Sequence, residues 1–151
     1  MGLLNHQRGS NNPVLRYFVA APLIWLCLLP ILIADLVLEL YHRIAFPIYG
    51  ISCVKRSHYI RILDREKLPY LTWYEKVGCM YCGYMNGWLH YASTVAGRTE
   101  SYFCAISHLE GRGYQPSEHE KSFVAFGDEA ALKKRYAYYD LKYGRHHDRH
   151  V

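Results

Sequence analysis

The sequence predicts a mostly α-helical protein: a single N-terminal transmembrane helix, kinked where prolines fall, followed by a small helical cytoplasmic domain with at most short strands. Three observations predict it. From Tyr17 to Ala34 no residue is charged, and the apolar character continues past Asp35 through Leu36, Val37, Leu38 and Leu40, which satisfies the roughly 20 apolar residues a span needs. A helical pattern then runs with few interruptions from Tyr70 to about Leu109. Finally, a 151-residue chain that commits its N-terminal part to an anchor keeps enough length for one modest core.

Residues 1–16 are polar and aperiodic and read as a disordered tail. Residues 17–44 form the transmembrane helix. A cleaved signal peptide is the first competitor, but no small-x-small cleavage pattern follows the apolar run. A re-entrant or monotopic helix is the second, because Pro22 and Pro30 each remove a backbone hydrogen bond; spans tolerate such prolines. Arg8 and Arg16 precede the apolar run, whereas Arg43, Lys55, Arg56, Arg61, Arg65 and Lys67 follow it. The side richer in Lys and Arg stays in the cytoplasm, so the C-terminal domain is expected there.

Near the end of the helix, Asp35, Glu39 and His42 share one helical stripe. Glu39-x-x-His42 has the spacing of carboxylate-bridged di-iron proteins, but such sites draw further carboxylates from other helices. The preferred reading pairs Glu39 with Arg43 at headgroup level and turns Asp35 toward a partner helix or a water-filled dent. An acid at that depth is costly enough to suggest a role.

Residues 45–67 read as a juxtamembrane segment lying along the interface. Pro47 and Gly50 break the helix, and Arg43, Lys55, Arg56 and Arg61 face anionic headgroups. Residues 58–63 alternate well enough for a short strand, and a helix is expected to begin near Pro69. Residues 68–143 form the cytoplasmic helical domain. Within it, Thr99 is a candidate N-cap for a second helix and Arg98 a closing residue for the one before. Pro116–Lys121 reads as a surface loop and Ser122–Phe126 as a short edge strand. Asp128 is placed to cap a helix reaching Tyr143, with Gly144 closing it. Tyr136, Tyr139 and Tyr143 share a face of that helix. Residues 144–151 form a basic, His-containing tail.

The net charge of +5 is spread thinly and gathers best just after the apolar run, which favours a membrane surface over nucleic acid. Fifteen tyrosines and three tryptophans suit an interfacial protein. The five cysteines, in a reducing compartment, are better explained as thiols or metal ligands than as disulfides. Cys79-x-x-Cys82 and Cys104-x-x-x-His108 together supply the four ligands of a closed zinc site, with iron as the alternative metal. A shared site has a geometric condition. The 22 positions from Cys82 to Cys104 would extend about 33 Å along a helix, so the chain must double back, with Asn86-Gly87 and Gly97 as the nearest breaks. The competing reading is buried, inert cysteines and a satisfied histidine.

Phe46-Pro47-Ile48-Tyr49-Gly50, Asp64-Arg65, Leu68, Tyr70-Leu71, Glu75-Lys76, Cys79-x-Tyr81-Cys82-x-Tyr84-x-Asn86-Gly87, Ala96-x-Arg98-Thr99-Glu100 and Cys104-x-x-x-His108 together resemble a family of small bacterial inner-membrane proteins with one N-terminal span. The resemblance covers roughly residues 30–110 and implies that location; it brings no reaction with it. The family pattern has alanine in place of Gly97 and neither acid nor imidazole at Glu39 and His42, which weakens a hinge at the first position and a di-iron site at the others.

Three function classes follow. The leading one is a membrane-anchored adaptor or accessory subunit whose small domain is organised by a structural Cys3His metal site, without need of catalysis. It has the bilayer as its surroundings and, through the span, other membrane proteins as potential partners. The second is a redox or metalloenzyme component using an iron-thiolate site or a Cys79/Cys82 dithiol. The third is an anionic-lipid binder without metal.

Overall fold

A computed structural model describes residues 13–143 of the chain. It is mostly helical, and no strand occurs among the described residues. The helices are α1 (Pro13–Leu26), α2 (Leu28–Tyr49), α3 (Trp73–Phe103) and α4 (Glu129–Tyr143), joined by single 3-10 turns at Arg56–His58, Arg65–Lys67 and Glu118–Ser122. The chain divides into two compact units, Met1–Val95 and Ala96–Val151.

α1 and α2 meet at Cys27, where the ladder stretches to 3.4 Å between the Cys27 amide and the Leu23 carbonyl. Pro30, three residues on, has no N–H to return to the preceding turn, which accounts for a break at this point. Taken together, Phe18–Tyr49 is a 32-residue helical stretch whose mean hydropathy reaches 2.4, long and apolar enough to cross a membrane. The helix starts earlier and ends later than the sequence pattern suggests. Pro13–Arg16 belong to α1 rather than to a disordered tail, and Ala45–Tyr49 remain helical. Pro47 sits inside the last turn, and Gly50 ends the helix in the left-handed conformation at φ 68°. A glycine adopts it without a Cβ clash.

In the first unit the chain returns along α2 and then enters α3. The core that results is Phe46, Val54, Tyr91 and Val95, with Leu38, Tyr41, Ile51 and Tyr59 packed around it. The return segment 58–63 is not a strand; it runs irregularly against α3, whose two glycines let it approach. At Gly83 an added Cβ would lie 2.5 Å from the Arg61 carbonyl oxygen, and at Gly87 2.6 Å from that of Tyr59. Glu75 folds back on the start of α3, accepting from the Thr72 amide at 2.9 Å and from its hydroxyl at 2.6 Å, the half of a capping box that the third helical residue supplies.

α3 then continues as one helix through Asn86-Gly87, Gly97 and Thr99. Thr99 therefore lies in the helix interior and caps nothing new. In the second unit, Val124 and Ile106 make a single parallel bridge rather than a strand pair. Pro116–Lys121 is more ordered than a plain loop, since Ser117 and Glu120 form a reciprocal capping box over the 3-10 turn. Asp128 caps α4 as expected, accepting from the Ala131 amide at 2.9 Å. The tails 1–12 and 144–151, with Gly144, and the side chains of Tyr139 and Tyr143 lie outside the described residues.

Candidate functional site

α2 is apolar on most of its surface, yet it carries a line of ionisable side chains at Asp35, Glu39 and His42, with Asp35 and His42 buried. Helical spacing puts them on one face together with Phe46, and the rest of the first unit closes over that face. Arg56, which follows Asp35 by 21 residues, grips both carboxylate oxygens through Nη1 and Nη2. This is the planar two-point pairing a guanidinium makes best. Tyr84 on α3 donates to Asp35 Oδ2 at 2.7 Å, and the buried Trp88 stands beside the same carboxylate.

One turn on, Glu39 accepts from Arg43 Nε at 2.6 Å and from the Tyr91 hydroxyl at 2.8 Å. Arg56 Nη1 also lies 3.7 Å from Glu39, and its guanidinium sits 5.5 Å over the Tyr91 ring. Two carboxylates thus face two guanidiniums, so the cluster is charge-balanced. Its cation is held firmly: the hydrogen bond to Asp35 raises the Arg56 pKa further above its ordinary value. Burial, then the hydrogen bond to Asp35, pushes the Tyr84 phenol up to about 12. Burial and Glu39 raise Tyr91 as well. Both phenols are therefore donors at any physiological pH.

The proton positions around His42 follow from its neighbours. The Val54 amide donates to Nε2 at 2.9 Å. An amide N–H cannot accept, so Nε2 is bare. Neutral His42 then carries its proton on Nδ1 and directs it at the Tyr91 oxygen, 3.0 Å away, while Tyr91 passes its own proton to Glu39. The result is a one-directional chain from Val54 through His42 and Tyr91 to Glu39, each member buried or half-buried and satisfied.

Of the residues singled out by sequence, the structure gathers Asp35, Glu39, Arg43 and Arg56. Glu39 does pair with Arg43. Asp35 faces Arg56 and α3 instead of a partner helix or water. Arg56 is correspondingly not a headgroup-facing cation, whereas Lys55 and Arg61 are exposed. Tyr84 and Tyr91 were not identified as site residues; the signal that could have found them was the need of two acids on an apolar helix for donors, together with the tyrosines that α3 presents seven residues apart.

The proposed metal ligands are not gathered. The reversal between Cys82 and Cys104 that a shared site requires does not occur, because α3 is unbroken over Trp73–Phe103. Among the described residues no group of three or more His, Cys, Asp or Glu side chains is placed to hold a metal ion. Zinc or iron bound by Cys79, Cys82, Cys104 and His108 within one chain therefore does not fit this arrangement. The picture of buried, inert cysteines fails as well: Cys27, Cys53, Cys82 and Cys104 are exposed, Cys79 is half-buried, and all five are free. His108 is also exposed and meets the Tyr114 ring edge-on, with centroids 5.5 Å apart. A Cys79/Cys82 disulfide is disfavoured by the helix, which holds side chains three apart at about 5–6 Å between Cβ atoms, beyond the roughly 3.5–4.5 Å a disulfide spans.

The second unit has its own polar cluster. Tyr114 donates to the buried Glu120. That bond, followed by the Ser117 amide, lowers the Glu120 pKa and pushes Tyr114 up to about 12. His119 Nε2 meets Glu100 at 2.8 Å, and its ring packs on Gly97, where a Cβ would come within 2.7 Å of Nδ1.

Comparison with known protein families, curated proteins and solved structures finds no match to this chain.

Proposed function

We propose that this protein is a membrane-anchored adaptor or accessory subunit of a bacterial inner membrane, with its helical domain on the cytoplasmic side. The observation that carries this reading is the two-point grip of Arg56 on Asp35. A carboxylate on an otherwise apolar helix is costly alone, and here the segment after the helix supplies its cation and α3 its phenol. The charge thereby becomes a fastening that holds the first unit on the anchor. Both carboxylates of the cluster are held by donors of the same chain, Asp35 by Arg56 and Tyr84 and Glu39 by Arg43 and Tyr91, which is the design of a rigid mount. Support for the cytoplasmic side comes from the excess of Lys and Arg after the helix.

The test is fractionation of native membranes. The protein is expected to resist alkaline carbonate extraction, a reporter fused after Val151 is expected to read as cytoplasmic, and mild detergent is expected to release the protein within a larger membrane complex. Arg56→Met should keep it in the membrane but detach it from that complex. Recovery of the wild-type protein in the soluble fraction, or as an isolated monomer after detergent, defeats the proposal.

A further inference from the structure

Among the described residues, none covers the face of α2 opposite the carboxylates. Leu36, Leu40, Ile44 and Ile48, four residues apart, form an exposed stripe, with Ile33 and Val37 at its edge. Asp35, His42 and Phe46 point the other way and are buried. On its side the stripe borders a shallow, wholly apolar groove lined by Pro30, Ile33, Ala34, Val37, Leu38 and Tyr41. From Phe18 to Ala34 no residue of the helix is buried. On one side α3 already meets this segment, where the Tyr81 hydroxyl donates to the Ile24 carbonyl at 2.8 Å and the Tyr81 and Trp25 rings lie 5.2 Å apart; from Asp35 on that side becomes buried, while the opposite side stays exposed and apolar.

Length decides what this means. Thirty-two residues extend about 48 Å at 1.5 Å per residue, against a hydrocarbon core about 30 Å thick. An upright helix immersed from Phe18 would leave the core near Asp35 and carry the stripe of Leu40, Ile44 and Ile48 into water. Excess apolar length is absorbed by tilting or kinking; a straight rod of about 48 Å within about 30 Å needs roughly 50°, beyond the roughly 0–40° usual for spans, and the break at Cys27 lets α2 take an oblique angle of its own. A helix at such an angle has an upper and a lower side. Here the upper side carries the charged cluster and the folded unit, and the lower side is the apolar stripe.

We infer that α2 enters the bilayer obliquely and that Leu36, Leu40, Ile44 and Ile48 lie in lipid, so that the first unit rests on the membrane surface on top of its own anchor. This rests on the membrane anchorage proposed above. Lipid is the occupant favoured by continuity, since the stripe prolongs the exposed apolar surface of Phe18–Ile33 along the same helix. Charge agrees: Arg43, its side chain 76% exposed, flanks the stripe, and Lys55 and Arg61 are exposed on the segment that returns along α2. These cations are placed for anionic headgroups.

The experiment reconstitutes the full chain in vesicles of phosphatidylcholine and phosphatidylglycerol. A photoreactive benzoylphenylalanine is placed in turn at Leu36, Leu40, Ile44 and Ile48, with the native cysteines untouched. Vesicle flotation reads anchorage, and mass spectrometry reads what each residue captures. Lipid adducts at all four positions are the expected result. In parallel, nitroxide labels at the same positions in a cysteine-to-serine background, verified as folded by circular dichroism, should meet oxygen more often than a water-soluble nickel chelate. If the protein floats but the labels meet the chelate, or if the captured species is a second copy of the chain, the oblique placement is overturned while anchorage stands. If the protein does not float, anchorage itself fails and takes the inference with it.

Discussion

α3 contains an internally controlled test of how closely the return segment is packed. Gly78, Gly83 and Gly87 all lie within the same helix, and Gly→Ala in a helix interior gains about 1 kcal/mol from propensity alone. At Gly78 nothing lies within 4 Å of an added Cβ, so that gain should appear in full. At Gly83 the Cβ would sit 2.5 Å from the Arg61 carbonyl oxygen, and at Gly87 2.6 Å from that of Tyr59 and 2.8 Å from the Ile60 Cα. Both obstacles are backbone, which cannot rotate aside, and the segment that must move leads directly into Tyr59 and Arg56. Overpacking of this kind costs about 1–3 kcal/mol, enough to outweigh the propensity gain. Thermal unfolding in lipid nanodiscs, followed by near-ultraviolet circular dichroism, is the assay. For a chain of this size about 1 kcal/mol corresponds to roughly 2–4 °C. Gly78→Ala should raise Tm by that amount; Gly83→Ala and Gly87→Ala should lower it by a similar or larger step. Three shifts of the same sign would refute the close approach.

Asp35→Asn and Arg56→Met should each destabilise by about 2–3 kcal/mol, and the double variant by clearly less than their sum, because each single change leaves a half-buried charge or its partner unmatched; additive, near-zero effects in the same assay would show that the pair holds nothing. His42→Leu strands the buried Val54 amide and removes the bond that the Tyr91 oxygen accepts, while Tyr91 still donates to Glu39, and should cost about 2 kcal/mol or more, with His42→Gln recovering part through its amide oxygen. Tyr84 adds a pH signature. Its folded pKa of about 12 lies above the ordinary 10.0, so the stability it contributes is complete below pH 10 and is lost as pH rises toward 12; in Tyr84→Phe that fraction of the alkaline loss, read by urea titration, should vanish. Glu120 has the opposite sign. Its lowered pKa makes its contribution complete above the ordinary 4.5 and lost as pH falls through the folded value, so Glu120→Gln should flatten the acid limb of stability.

The apolar helix, the helical character of the remainder, the Asp128 cap and the Glu39–Arg43 pair were legible because each depends on neighbours within one or two turns. Long-range pairing was not. Nothing local to Arg56 distinguishes it from Lys55 or Arg61, and only the return of the chain along α2 makes it the partner of Asp35. The metal site was misread for a related reason. The two Cys and Cys-His spacings are sound in isolation, but whether they meet depends on a turn inside α3, and nothing local to Asn86-Gly87 shows that the helix runs through it. In the structure Gly87, with Gly83 four residues before it, serves close packing within an intact helix, a use of glycine that the spacing Gly83-x-x-x-Gly87 could have suggested. The alternation at 58–63 carries no strand because this segment lays its own backbone against the glycines of α3 and pairs with no strand among the described residues.

The distance in sequence between Asp35 and its partners also sets an order of events during synthesis. At about 5–20 residues per second, the 21 residues to Arg56 take roughly 1–4 s and the 49 to Tyr84 roughly 2–10 s. Throughout that interval the apolar helix exists with a bare acid on one side. The fastening of this helix is therefore completed by residues translated after it, Arg56 first and Tyr84 second.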